Sequence, residues 1–298
     1  MTSVLTDTAV NQALLEYETF QELTEIAAEL GCPPIEMSTA SQSMMAAITH
    51  SSFGKPRRIF DTAYGKPDCG LPLPGGHGQN FEILAGIYRN MYEQGIRYVW
   101  LGNVDNLGFT VDPVSLAVFA LSGTDAAFEA SYRTPMDVKG GILVSDRQGK
   151  ITCADIGPAI TIEKVHEFET EGKHILFNCG IGLFDLKKLI EHLDFIPYEL
   201  PLRITDQDKD AGLYAQMEQI TWEIIGLIPK PFFFAVEKSK RFVASKMLME
   251  NIITSLPPDN HNASEMGKIS GQMHKGLNDL LKTEYLLNLQ NKRWVPDA

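Results

Sequence analysis

Apolar positions along this chain follow two periods in turn, one helical and one that of buried strands. From Asp7 to Leu30 the residues Val10, Leu14, Phe20, Leu23, Ala27 and Leu30 keep roughly helical spacing until Gly31-Cys32-Pro33-Pro34 stops the run, which predicts one or two helices. Phe81, Leu84, Ile87, Tyr88, Met91 and Tyr92 make one apolar face, with Gly95 where a C-terminal cap belongs. Tyr98-Val99-Trp100-Leu101 reads as a buried strand ending in Gly102-Asn103-Val104-Asp105-Asn106. Ile142–Val144 and Ile151–Cys153 flank the polar turn Ser145–Lys150, a hairpin signal, and His174–Asn178 reads as another buried strand. Asp185 precedes a helix with Leu186, Leu189, Ile190 and Leu193 on one face; a further helix is expected at about 213–226, then a very apolar strand at Pro231–Val236. Helix, short turn and buried strand in alternation predict an α/β domain.

Composition narrows the function classes. The 298 residues are 44% hydrophobic and 21% charged, ordinary for a globular protein that can bury one large core or two modest ones. A net charge of -12 argues against a broad grip on nucleic acid or anionic lipid, both of which need basic surface. Cys32, Cys69, Cys153 and Cys179 are scattered without zinc-site spacing, which fits reduced thiols in a cytoplasmic protein. No apolar run approaches the ~18–20 residues that span a bilayer, and the N-terminus lacks the pattern of a secretory signal. The polar, Pro- and Asn-containing stretch 255–265 reads as a linker between a domain over 1–254 and a helical tail over 266–298, the tail marked by Met266, Ile269, Met273, Leu277, Leu280 and Leu281.

Three stretches could carry chemistry. Gly75-Gly76-His77-Gly78 stands before a helix, yet no lysine follows as in a Walker loop, and Phe81 stands where a dinucleotide fingerprint needs its third glycine. Such glycines still allow a planar or anionic ligand close to the backbone, or make an ordinary turn. In open α/β sheets, ligands bind at the carboxyl ends of strands, which is where Asn103 and Asp105 fall. Separated by one residue they point the same way and could hold a divalent cation; Asp and Asn equally suit a turn. Glu237-Lys238-Ser239-Lys240-Arg241-Phe242 concentrates basic charge in an acidic chain, on its own a solvated loop as readily as a phosphate site.

PGGHGQ at 74–79, NVDNLGFTVDP at 103–113, MDVKGGIL at 136–143, FNCGIGLFDLKKL at 177–189 and KSKRFVASK at 238–246 are, in order and interval, similar to one family. Over about residues 1–255 the chain resembles the UDP-sugar pyrophosphorylases, most closely UTP:glucose-1-phosphate uridylyltransferases of the eukaryotic type. The resemblance implies a Rossmann-like nucleotidyltransferase (GT-A-like) domain with a mixed, mostly parallel central sheet, to which the residue pattern adds the short C-terminal helical tail. It implies Gly76 and His77 at the uracil and adjoining phosphate, and Asn103 and Asp105 at the sugar phosphate, with Asp105 on Mg²⁺. Gly140 and Gly141 match the turn that touches the hexose, Asp155 the acid that holds sugar hydroxyls, and Asn178 a sugar contact. Lys246 matches a phosphate-contacting lysine, so Lys246 and Asp105 become the candidate catalytic residues and the basic stretch acquires a phosphate role.

The implied reaction joins UTP and glucose 1-phosphate to give UDP-glucose and pyrophosphate, with no nucleic acid or membrane partner. The family's glycine-rich triphosphate loop has no counterpart, MTSVLT is similar to a segment later in the family's domain, Ser52 stands where a uracil-contacting glutamine is expected, and the C-terminal β-helix is lacking. Three readings stay open from this. The chain is an enzyme completed by another polypeptide, a second copy or an upstream segment; or a truncated, impaired homologue that binds UDP-sugar or a protein partner without turnover; or a UDP-N-acetylglucosamine pyrophosphorylase.

Overall fold

Residues Leu176–Asp185 are buried along nearly their whole length, the signature of a strand covered on both faces, and they form the centre of the larger sheet. The computed structural model describes residues 1–31, 36–134, 137, 140–157, 159–243, 265–291 and 293–296. It divides into two units, Met1–Arg97 with Leu186–Leu227, and Tyr98–Asp185 with Ile228–Ala298.

The larger sheet belongs to the second unit. Its strands are β1 (Tyr98–Gly102), β2 (Ala126–Tyr132), β3 (Gly140–Ser145), β4 (Ile151–Ile156), β5 (Leu176–Asp185) and β6 (Phe232–Ala235). On one side β5 takes β2, with β6 beyond it. On the other side β3 meets β5 at Phe177↔Ile142, with β4 beyond, and β1 pairs with the later half of β5 from Ile181↔Gly102 to Asp185↔Tyr98. The sheet is mixed, as the sequence predicts, but not mostly parallel. Among its described pairings only β6 with β2 is parallel. β1, β2, β3 and β6 share a direction, and the central, mostly buried β5 runs against them all.

Local chemistry explains the connections. The β3–β4 hairpin closes where expected, Ser145 opposite Ile151, with Asp146 Oδ1 accepting from the N–H groups of Gln148 (2.8 Å) and Lys150 (2.9 Å). The helix Pro113–Ser122 starts at Asp112, whose carboxylate accepts from Val114 N–H (2.9 Å) and Ser115 N–H (3.2 Å), and ends at Gly123 in the left-handed region. Phe119, Ala127 and Leu183 form one core cluster with Trp100, Phe232 and Phe234 against it; Ile142, Ile156, Val165 and Phe177 form another. The expected tail helix is Glu265–Thr283, but a hairpin of Leu287–Gln290 and Arg293–Pro296 follows, so the tail is not wholly helical. Gly276 brings that helix against the short helix Lys238–Arg241: a Cβ there would lie 2.1 Å from the Ser239 carbonyl.

In the first unit, the helices Asp7–Glu18 and Gln21–Glu29 confirm the opening periodicity, and Asn80–Ile83 with Ala85–Glu93 the one after the glycine loop. The helix expected at 213–226 is not there. Gly212–Gln219 is a strand paired over its whole length with Leu202–Lys209, and Thr221–Gly226 is a 3₁₀ turn. Leu213, Met217, Ile220 and Ile224 have helical spacing, but the two-residue turn Asp210-Ala211, with Gly212 at φ +113, lays this segment along its neighbour as a strand. Thr49 and Ile48 extend this sheet, over a core of Ala47, Phe60, Ala63, Ala211 and Tyr214. Among the described residues, no helix is long and apolar enough to cross a membrane. Most of the expected linker at 255–265, together with Cys32 and Lys246, lies outside the described residues.

Candidate functional site

The glycine loop is fitted to the polypeptide. Gly76 has φ +88, and a Cβ on it would lie 2.4 Å from the Gln219 carbonyl oxygen; one on Gly78 would lie 2.7 Å from the Gln219 carbonyl carbon. Gln219 N–H donates to the Gly75 carbonyl at 2.9 Å. These glycines therefore have an internal purpose, which is to admit the end of strand Gly212–Gln219 against the loop.

His77 is exposed but oriented. Thr221 N–H donates to His77 Nδ1 at 3.1 Å, which makes that nitrogen an acceptor and puts the proton of a neutral ring on Nε2. Thr221 Oγ1 donates to the His77 carbonyl at 2.8 Å, and Asn80 Nδ2 donates to the same carbonyl at 2.8 Å. Tyr88 in turn donates to Asn80 Oδ1 at 3.1 Å, and burial raises the pKa of its phenol. Thr221, Asn80 and Tyr88 were not legible as site-supporting residues. Thr221 lies 144 positions from His77, and no local pattern links them.

In the second unit, the turn after β1 closes with Asn106 N–H donating to the Asn103 carbonyl at 3.0 Å. Asn103 and Asp105 are half-buried, with Val104 exposed between them. Gly141 pairs with Asp155 across the β3–β4 hairpin. A Cβ at Gly141 would lie 2.4 Å from Cys153 Sγ, 3.3 Å from Asp155 Oδ1 and 3.8 Å from Asn178 Cβ, so three of the expected sugar-side residues meet at one point. Gly140, at φ +107, rests on the Phe177 ring. Asn178 is buried beside a bulge where β5 slips register against β2, and its Oδ1 accepts from Gly180 N–H at 3.2 Å. Cys179 lies within that bulge, and burial pushes its thiol up to about 11, which disfavours the thiolate.

The basic stretch departs from expectation, because each described cation already faces an acid. Arg241 makes a two-pronged pair with Glu129, Nε to Oε2 at 2.8 Å and Nη2 to Oε1 at 2.5 Å, and also donates to Thr110. Burial alone would lower the guanidinium pKa; the hydrogen-bonded Glu129 charge outweighs it and raises it. Lys238 is paired with Asp137 and sits 4.1 Å from the centre of the Phe177 ring and 5.5 Å from that of Phe242. Its ammonium is held by charge and ring faces without an aligned hydrogen bond. Lys240 lies 3.7 Å from Glu237. Lys238 and Arg241 are thus held by largely buried acids, whereas the Lys240–Glu237 pair lies at the surface.

A family model described as UTP–glucose-1-phosphate uridylyltransferase matches residues 1–253. The chain belongs to that family. Curated UTP–glucose-1-phosphate uridylyltransferases are similar to it, from Hordeum vulgare (26% identical over 226 residues, 75% of this chain and 46% of the relative) and from Dictyostelium discoideum (34% over 175 residues, 58% and 34%). The fold is also that of UDP-glucose phosphorylase from Trypanosoma brucei, with a TM-score of 0.61 at 22% identity over 85% of this chain and 53% of that one. A UDP-glucose pyrophosphorylase mutant from Leishmania major in complex with UDP-glucose gives a TM-score of 0.62 at 19% identity, covering 87% and 54%. The chain spans about half the length of these solved structures and less than half that of the curated relatives. Within this uridylyltransferase family fold, Gly76 and His77 belong to one unit, and Asn103, Asp105, Gly140, Gly141, Asp155 and Asn178 to the other.

Proposed function

We propose that this chain carries a uridylyltransferase site that transfers UMP from UTP to glucose 1-phosphate, giving UDP-glucose and pyrophosphate. The observation that carries the reading is the convergence of Gly141, Asp155 and Asn178 within a chain matched to the family over residues 1–253. The missing side chain at Gly141 brings the strand backbone close to the Asp155 carboxylate, an acceptor of the kind that sugar hydroxyls need. His77, held through Nδ1, would donate from Nε2 to the nucleotide, and the Gly75–Gly78 backbone would lie along the uracil. A sugar phosphate oxygen then attacks the α-phosphorus in line as pyrophosphate leaves. The protein contributes positioning and charge neutralisation.

Asn103 and Asp105 offer an amide oxygen and a carboxylate, a donor set that fits Mg²⁺, which commonly takes one or two protein oxygens and fills its shell with phosphate and water. Among the described residues no cluster of three or more acidic, histidine or cysteine ligands competes with it. Bound there, the ion would offset the negative charge of the two phosphate groups. Lys246 is the proposed cationic partner, since it matches the family's phosphate-contacting lysine and Lys238 and Arg241 are engaged in largely buried pairs.

The test is pyrophosphate release from UTP and glucose 1-phosphate with Mg²⁺, using Asp105→Ala and Lys246→Ala. Both should lower the rate by on the order of 10²-fold or more. Turnover that survives both substitutions refutes the assignment, and preference for N-acetylglucosamine 1-phosphate moves the substrate to the amino sugar.

A further inference from the structure

Asn106 follows Asp105 directly and is only 4% exposed. Its side chain spends its polar capacity on backbone from separate parts of the chain. Oδ1 accepts from Gly108 N–H (3.1 Å) and Val243 N–H (2.9 Å). Nδ2 donates to the Arg241 carbonyl (2.9 Å), with the Cys179 carbonyl at 3.5 Å. Beside it, Leu107 N–H donates to the Val243 carbonyl at 2.9 Å, so the side chain and its neighbour reproduce a short piece of ladder against Arg241–Val243. Gly108 completes the fit: a Cβ there would lie 2.4 Å from the Lys240 carbonyl oxygen and 2.8 Å from the Arg241 carbonyl carbon.

The same residue closes the turn that contains Asp105, through its own N–H to the Asn103 carbonyl. Three elements of the second unit therefore meet on one amide: the turn with Asn103 and Asp105, the bulge next to Asn178, and the segment after β6. That segment is itself anchored to β2 by the Arg241–Glu129 pair. We propose that Asn106 is a positioning residue that sets the Asn103–Asp105 turn relative to the β5 bulge. Resting on the function proposed above, it sustains turnover by holding Asp105 in register and not by touching substrate. A buried polar group with all its partners is costly to alter, and displacement of a reacting group by about 1 Å can cost on the order of 10²-fold in rate.

The experiment compares Asn106→Ala and Asn106→Asp in the full chain with Val165→Ala, a core truncation in the same unit that leaves the Asn106 hydrogen bonds in place, chosen to lower the unfolding midpoint comparably. Two readouts are taken: kcat and KM for glucose 1-phosphate over a Mg²⁺ titration, and amide hydrogen exchange by NMR. Asn106→Ala should lower kcat on the order of 10²-fold, raise the Mg²⁺ concentration needed for half-maximal rate, and leave KM within about threefold. Its Gly108 and Val243 amides should lose at least about tenfold in protection while those of β2 and β5 keep theirs. Asn106→Asp, which keeps the acceptor and loses the donor, should retain that protection. A kcat within about threefold of Val165→Ala overturns the proposal, and so does unchanged exchange at Gly108 and Val243. If the wild-type chain shows no turnover, the function proposed above fails on its own, and the exchange result alone decides whether Asn106 holds the turn.

Discussion

The Arg241–Glu129 pair gives the sharpest energetic test of this structure. The Glu129 side chain is 3% exposed and that of Arg241 13%, with two parallel N–H···O bonds between them. Arg241→Met removes both donors and leaves a buried carboxylate without its cation. Breaking such a pair from one side costs about 3–5 kcal/mol, because the remaining charge keeps its desolvation penalty and loses its compensation. With an m-value of about 2–3 kcal/mol per M of urea, the midpoint should fall by about 1–2.5 M. Urea unfolding monitored by tryptophan fluorescence reads this directly, since Trp100 lies on β1 of the same sheet. Two companions make the reasoning strict. Glu129→Leu combined with Arg241→Met removes both charges and should recover most of the loss. Arg89→Met, which breaks the exposed pair with Asp194, should move the midpoint little. If Arg241→Met unfolds like the wild type, or if the double substitution is no better than the single one, the pair is not the buried, mutually dependent unit described above.

Two further outcomes follow from local geometry. Gly76→Ala should cost about 1–3 kcal/mol for its positive φ alone, with overlap on Gln219 added, whereas Gly86→Ala, in open space on a helix, should be neutral or stabilising by up to about 1 kcal/mol; urea midpoints separate them. Asp112→Ala should cost about 1 kcal/mol at neutral pH through the lost helix cap. Burial pushes the Asp112 carboxyl up, but hydrogen bonds from Ser115 and the Val114 and Ser115 N–H groups, with Arg241 nearby, leave it below the ordinary value. Its folded-state pKa is therefore depressed. The contribution is complete above the unfolded-state pKa and is lost as pH falls through the folded value, so the gap between wild type and Asp112→Ala should close in acid.

What the sequence determined by itself is local or ordered along the chain. The Ser145–Lys150 turn, the cap at Gly95, the strands at Tyr98–Leu101 and Phe232–Ala235, half-buried and not buried as read, and the tail helix all follow from periods and turn chemistry within a dozen residues. The order of the five motifs carried the family, and Gly141, Asp155 and Asn178 do converge. Tertiary structure decided what depends on distant partners. Residues 213–219 have a helical apolar spacing, yet the ladder to Leu202–Lys209 overrides it, because a full set of cross-strand hydrogen bonds outweighs a weak intrinsic preference. The direction of β5 is likewise a matter of which neighbours its two apolar faces find. That the glycines of the His77 loop admit Gln219, and that Arg241, Lys238 and Lys240 face Glu129, Asp137 and Glu237, is visible only in the folded chain. Asn106, one residue past a candidate that the sequence singled out, acquires its importance from a backbone 137 positions away. Charge neutralisation and close backbone contact are properties of pairs, and these pairs exist only once the chain has folded.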